Sequence, residues 1–330
     1  MYIIMDLGNK YIVIIFGPTA AGKTDFALTL ASEIRSEIVN MDIGQFYTPL
    51  SIGTAKPAWQ SMLTPHHLFD IVDEPRNITV TEYRRMVIST IHEIWQRGNV
   101  PILVGGSGFY LKSLLFPPLA DQASSHSFNL NESYTSDALW SMLHEIDPIR
   151  AARIHKNDTY RIKRALAIWH MTGKKPSEQK PLFNPIAPFL LLHVTRERED
   201  LYARINARVN EMMKAGWLKE VEALQGTKWE SFLQTKKIIG YDDVLAYLGA
   251  ERTQDRLLHT IHVIAQKTRN YAKRQETFWR MLEKEVNAAS IINESNAAAC
   301  IKLMQFNLTL SDINLYIEQL LKMCPCALVP

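Results

Sequence analysis

The chain has little cysteine and no long apolar run. Only three of its 330 residues are Cys, at 300, 324 and 326. Their number is odd and all lie in the last tenth of the chain, so a reducing cytoplasm is the simplest setting. Cys324-Pro325-Cys326 has no second pair at zinc spacing, which argues against a cysteine metal site. No stretch approaches the roughly 20 apolar residues that span a bilayer. The opening Met1-Tyr2-Ile3-Ile4-Met5-Asp6 turns acidic too soon for a secretory signal. No internal repeat is found. A cytoplasmic protein without a membrane partner is therefore expected. Apolar content of 47% and charged content of 22% are ordinary for a globular chain, long enough for one large core or two domains.

What is present is more specific. Gly17-Pro18-Thr19-Ala20-Ala21-Gly22-Lys23-Thr24 reads G-x-x-x-x-G-K-T, the phosphate-cradling P-loop. The apolar run Tyr11–Phe16 precedes it, as expected of a buried parallel strand, and Asp25–Ala31 follows with helical spacing. Glycines let successive N–H groups turn inward toward an anion, and the helix start adds partial positive charge. Lys23 supplies a full charge, and the Thr24 hydroxyl is a candidate ligand for Mg²⁺. The loop points to a polyphosphate without naming the reaction.

Three further apolar runs, Glu37–Asp42, Pro101–Val104 and Phe189–Thr195, alternate with helical patterns such as Val80–Gln96. Such alternation predicts a doubly wound parallel α/β sheet. Ligands of such sheets lie beyond the carboxyl ends of the strands. Asp42, Ser107 in Gly105-Gly106-Ser107-Gly108, and the residues after Thr195 are expected to converge there. Strand signal is absent between 119 and 187. There, a polar segment, Asp121–Ser136, precedes helical patterns over Ser136–Glu145 and Thr159–Met171. The expected organisation is a P-loop core over 1–118 and 188–284, a helical insertion over 119–187, and a helical tail over 285–330.

The formal charge of +3 conceals two basic islands. Asp147–Lys175 holds eight Lys/Arg against two Asp/Glu, and Ile264–Lys284 holds six against two. Charged helix faces are commonly just solvated, yet two islands on an otherwise acidic body suit a polyanion larger than one phosphate. In the first island Ile162, Leu166 and Trp169 share one helix face, leaving Arg161 and Arg164 on another, as a nucleic-acid backbone would require. Arg204 and Arg208 share a face of a later helix, where guanidinium forks suit phosphate oxygens. Asp42, 18 residues beyond Thr24, either holds Mg²⁺ or accepts a proton from a nucleophile. His66-His67 is expected to be a structural pair.

Beyond these readings, nine pieces resemble the tRNA dimethylallyltransferases, also called tRNA isopentenyltransferases. They are GPTAAGKT (17–24), DIGQFY (42–47), IGTAKP (52–57), HHLFDIVD (66–73), PILVGGSGFY (101–110), NDTYRIKRAL (157–166), RINARV (204–209), IGY (239–241) and TRNYAKRQ (268–275). The resemblance implies transfer of a five-carbon group from dimethylallyl diphosphate to the exocyclic amine of the adenosine 3′ to the anticodon, with diphosphate leaving. It implies that Asp42 is the base and that Thr24 and Arg208 assist catalysis. The loop Gly17, Pro18, Thr19, Ala20, Ala21, Gly22, Lys23 and Thr24, with Arg208, holds the diphosphate, and Thr24 binds the Mg²⁺ cofactor. Asp42, Ile43, Gly44, Gln45, Ser107, Tyr160, Arg161, Ile162, Lys163 and Arg164 contact the tRNA. Separately from the resemblance, a monomer is expected.

The chain departs from the family pattern in carrying Ile43 where a serine is usual and Ser107 where a threonine is usual. It is also short over 119–136. Rival readings are an enzyme of the same fold acting on free adenine nucleotides, a small-molecule P-loop kinase, and an inactive tRNA-binding protein. The basic insertion helix disfavours the first, TRNYAKRQ the second, and intact Lys23, Thr24, Asp42 and Arg208 the third.

Overall fold

The computed structural model describes residues 10–118, 134–292 and 301–323. The chain divides into a larger unit, 1–112 with 185–330, and a smaller one, Ser113–Asn184. The expected insertion was 119–187. Residues 119–133, the polar segment's larger part, lie outside the described residues, as do all three cysteines.

The larger unit is built on a six-stranded parallel sheet: β1 (Ile12–Phe16), β2 (Ser36–Asn40), β3 (His66–His67), β4 (Val100–Gly105), β5 (Phe189–Thr195) and β6 (Ile301–Asn307). Its spatial order is β3-β2-β4-β1-β5-β6, and every pairing is parallel. β1 is central, covered on both faces, and buried throughout. That explains why its sequence is continuously apolar rather than alternating. Helices α1 (Lys23–Glu33), α2 (Val80–Gln96) and α3 (Gly108–Leu115) follow the strands of the first half. α2 starts where expected, because Thr79 caps it by accepting from the Glu82 N–H at 3.1 Å.

The smaller unit holds α4 (Ser136–Ile146), α5 (Pro148–Ala151) and α6 (Thr159–Thr172). Its core is Leu139, Leu143, Ala151, Ile154, Ile162, Ala165 and Leu166. Buried Asp147 organises the α4–α5 corner, accepting from the N–H groups of Arg150 at 3.0 Å and Ser177 at 2.7 Å.

After β5 the larger unit continues through α7 (Arg198–Lys214), α8 (Trp217–Glu222), α9 (Lys228–Lys236), α10 (Tyr241–Leu248), α11 (Gln254–Ile292) and α12 (Ile313–Met323). Two expectations for the tail are corrected. The boundary at 285 falls inside α11, whose buried positions Ala272, Gln275, Trp279, Leu282 and Val286 keep an unbroken spacing of three and four. The supposed helical tail also contributes β6, paired with β5 over its whole length. In β6 Met304 and Phe306, followed by Leu308, pack on the sheet core at every second residue, which is strand periodicity. Phe306 meets Phe26 of α1 with ring centres 5.2 Å apart.

Candidate active site

The carboxyl ends of β1, β2, β4 and β5 bring four loops together. After β1 the chain turns through Ala20 and Gly22, both with positive φ (63° and 101°). For Gly22 this left-handed geometry is what lets the loop run directly into α1. No side chain caps α1, so its first N–H groups face the loop. Lys23 folds back and donates to Pro18 O at 2.8 Å, spanning the loop it serves. Thr24 is exposed on the first turn of α1.

α7 and the residues just before it support the loop from outside. Arg204 donates to Ala20 O at 3.1 Å, and Arg196 donates to Ala21 O at 2.9 Å. The expected pair Arg204/Arg208 is therefore divided in role: Arg204 braces the loop backbone, while Arg208 lines the adjoining cavity.

After β2 the buried Asn40 amide shapes the turn that carries Asp42. Its Oδ1 accepts from the Asp42 N–H at 2.8 Å, and its Nδ2 donates to Leu68 O at 2.9 Å. The N–H groups of Gly44 and Gly106 donate to the Asp42 carboxylate. Ser107 Oγ accepts from the Ile43 N–H at 3.2 Å. Gln45 turns away and donates to Thr54 O at 3.2 Å and Ala55 O at 3.3 Å, holding the IGTAKP segment.

Charge in this site is mutually adjusted. Burial raises Asp42 above its usual carboxylate value, opposed by the charges of Lys23 and Arg208 and by the two N–H donors. Burial lowers Lys23 to about 8, with Asp42 pulling it up and Arg208 pushing it down. Arg208 is lowered mainly by burial and supported by Asp42. A carboxylate ready to take a proton thus faces two desolvated cations.

A cavity of about 290 Å³ opens over Asp42 and Arg208. Thr19, Ala20, Asp42, Ile43, Gly44 and Arg208 line one part. Apolar Ile205, Val209, Met212, Trp217, Ile238, Ile239 and Ile264 line another, and Tyr271 and Arg274 come from α11. The expected residues 17–24, 42–45, 107 and 208 all belong to this larger unit. Tyr160, Arg161, Ile162, Lys163 and Arg164 belong to the helical one. There Tyr160, Arg161 and Arg164 are exposed and Lys163 is half-buried. The expected tRNA contact by Ile162 is corrected: its side chain is fully buried in the unit's own core, so only its neighbours offer a surface.

Several site residues carry no signal in the sequence. Trp217 and the 236–239 segment have no phosphate or base signature. Gln275 ends the TRNYAKRQ motif, but its partners lie far away in sequence. Thr19 N–H donates to Gln275 Oε1 at 2.9 Å across 256 positions. Two of the family-like pieces without an assigned role are fastened to each other, and Gly53, Thr54 and Ala55 of the first also line the cavity. The Lys56 ammonium pairs with Asp70, tying IGTAKP to HHLFDIVD, and Trp59 Nε1 donates to Asp70 at 2.8 Å. His67 meets buried Glu37 at 2.5 Å, the structural role expected of the histidine pair.

A doubly wound parallel sheet, a P-loop and a carboxylate at the next strand end define a P-loop α/β protein. Residues 45–282 match the family model described as IPP transferase. The chain is 36% identical over 303 residues to the tRNA dimethylallyltransferase of Pseudothermotoga lettingae, covering 89% of this chain and 96% of that one. It is 41% identical over 278 residues to that of Geobacter sulfurreducens, covering 82% and 88%. A eukaryotic dimethylallyltransferase solved while acting on tRNA superposes with a TM-score of 0.78 at 27% identity, covering 94% of this chain and 78% of the other. The tRNA isopentenylpyrophosphate transferase of Bacillus halodurans gives 0.60 at 30% identity, covering 96% of both chains. The chain belongs to the tRNA dimethylallyltransferase family. No helix among the described residues is long and apolar enough to cross a membrane.

Proposed function

We propose that this protein transfers a dimethylallyl group from dimethylallyl diphosphate to the exocyclic amine of the adenosine 3′ to the anticodon in tRNA. The observation that carries the reading is one cavity in which a carboxylate with raised proton affinity faces a cation-flanked phosphate loop. The allylic C–O bond breaks and the diphosphate takes up the negative charge. Inward N–H groups, Lys23 and Arg208 stabilise it. The adenine amine, whose lone pair is delocalised into the ring, forms the new C–N bond and gives its proton to Asp42. To reach Asp42 the base leaves the anticodon-loop stack.

The exposed Thr24 hydroxyl on the first turn of α1 fits an oxygen ligand for Mg²⁺. Among the described residues no group of three or more His, Cys, Asp or Glu gathers for a metal, so the other ligands would be diphosphate oxygens and water. When bound, the ion would neutralise charge on the leaving group. Exposed Tyr160, Arg161 and Arg164 support a tRNA surface on the helical unit. A tRNA substrate and the scarcity of cysteine support a reducing cytoplasm as the setting.

Labelled dimethylallyl diphosphate, offered with tRNA, AMP, ADP or ATP, tests the reading. Label is expected on tRNA alone, and Asp42→Ala is expected to lower turnover by about 100-fold or more. Label on a free nucleotide, or near-native turnover by Asp42→Ala, overturns it.

A further inference from the structure

One side chain touches both halves of this chemistry without facing the reacting atoms. Gln275 on α11 is only 4% exposed. Its Oε1 accepts from the Thr19 N–H of the P-loop at 2.9 Å, and its Nε2 donates to Gly106 O at 2.8 Å. Two backbone partners of opposite kind fix which end of the amide is oxygen. The fit at Gly106 is close, because a Cβ there would come within 2.1 Å of Nε2. Gly106 donates its own N–H to the Asp42 carboxylate, and its neighbour Ser107 accepts from Ile43. A continuous line of hydrogen bonds thus runs from the P-loop, through Gln275 and the Gly106 peptide, to Asp42.

We infer that Gln275 is a positioning residue that sets the spacing between the phosphate loop and Asp42, and so between the leaving group and the attacked carbon on one side and the amine on the other. This rests on the function proposed above. Transfer from carbon to nitrogen requires the two substrates in near-attack geometry, where a misplacement of about 1 Å costs on the order of 100-fold. A side chain that ties both loops through the backbone governs that geometry. Phosphate recognition stays with the other residues.

The test compares the full-length wild type with Gln275→Met, which keeps length and removes both hydrogen bonds, and Gln275→Glu, which keeps the acceptor for Thr19 and sets an oxygen against Gly106 O. kcat for transfer to tRNA, the Kd of dimethylallyl diphosphate, Tm and the pH profile of kcat are measured. Gln275→Met, which also loses the bond with Tyr271, is expected to lower kcat about 10- to 100-fold, with the donor Kd moving less than about threefold. Asp42 faces Lys23 and Arg208 as cations and Tyr83, Tyr110 and Tyr271 as titratable neighbours. Of these, Tyr271 alone is touched by the substitution: it loses a hydrogen bond with the Gln275 side chain, and burial keeps its phenol neutral. A loosened Gly106 N–H stabilises the carboxylate less, so the acid limb of the profile moves to higher pH. Gln275→Glu is expected to lower kcat at least as far, and to weaken the donor by placing a negative charge beside the loop. Wild-type kcat in either variant overturns the inference. So does a loss of kcat that tracks a fall in Tm with the acid limb unmoved, the mark of a merely structural residue. A wild-type protein that transfers nothing to tRNA overturns the functional reading itself, and this inference with it.

Discussion

The Ser107 hydroxyl accepts a hydrogen bond from the Ile43 N–H at 3.2 Å, so the loop after β4 is fastened to the residue that follows Asp42. The side chain at 43 takes no part in this bond. An isoleucine at a position where the family usually carries serine therefore leaves the link between the two loops intact. Ser107→Ala removes the acceptor and is expected to lower kcat about fivefold, the rate equivalent of one ordinary hydrogen bond. Ser107→Thr keeps the hydroxyl and is expected to stay within about twofold. Steady-state rates of the two variants with tRNA check the prediction. Equal rates for both would assign the hydroxyl no part in holding the turn.

Lys23 is expected to make donor binding depend on pH. Burial lowers its ammonium to about 8, although Asp42 works in the other direction. The protonated form binds a diphosphate, so affinity is expected to be full below pH 8 and to weaken as pH rises through that value. Binding an anion favours the ammonium, which places the same transition at higher pH in the complex. Donor titrations between about pH 6.5 and 9.5 measure the effect. Lys23→Arg keeps its charge over that range and is expected to give a flat profile with weaker absolute binding. A wild-type affinity indifferent to pH would mean that Lys23 does not meet the diphosphate.

Glu220 of α8 holds the cavity wall that IGTAKP supplies. Its carboxylate accepts from the N–H groups of Ser51 at 2.9 Å, Ile52 at 2.6 Å and Gly53 at 3.2 Å, and from the Tyr241 hydroxyl at 2.7 Å. Four donors on one carboxylate leave no place for an amide N–H. Glu220→Gln is expected to cost about 2 kcal/mol, or roughly 5 °C in Tm, and to raise the donor KM by loosening Gly53 and Thr54. Calorimetry and steady-state kinetics test it. A variant with native Tm and KM would show that the segment keeps its shape without the carboxylate.

The parts of this site legible in the sequence were those whose chemistry is local. The P-loop is specified by eight consecutive residues. Asp42 follows a buried run, and α2 carries its own cap in Thr79 and Glu82. β3 is only two residues long, too short to leave a pattern. β6 breaks alternation at the adjacent Leu303 and Met304, follows an Ala- and Asn-rich stretch and owes its state to the free edge of β5. Gln275 and Glu220 act on backbone groups more than 160 positions away, Thr19 in one case and Ser51 to Gly53 in the other. Such partners follow from tertiary structure, and no local spacing signals them.

The exposed side of α6 leads to the last prediction. Arg161 lies 3.4 Å from Asp158, both on the surface, a weak pair that a phosphate can displace. Arg164 is exposed as well, while Ile162, Ala165 and Leu166 anchor the helix from beneath. Replacing Arg161 and Arg164 by Ala leaves that core untouched, so Tm is expected to hold within about 1 °C, as for most surface substitutions. Binding of tRNA is expected to weaken and to lose salt dependence, because each cation that neutralises a phosphate releases a counterion. On a single-stranded segment the slope of log affinity against log salt falls by about 0.7 for each phosphate left without its cation. Donor affinity, governed by residues of the larger unit, is expected to be unchanged. The measurement is tRNA affinity across a salt series for the wild type and the double variant. Parallel lines would assign α6 a solvated surface, and the tRNA track would then have to run along the second basic island on α11.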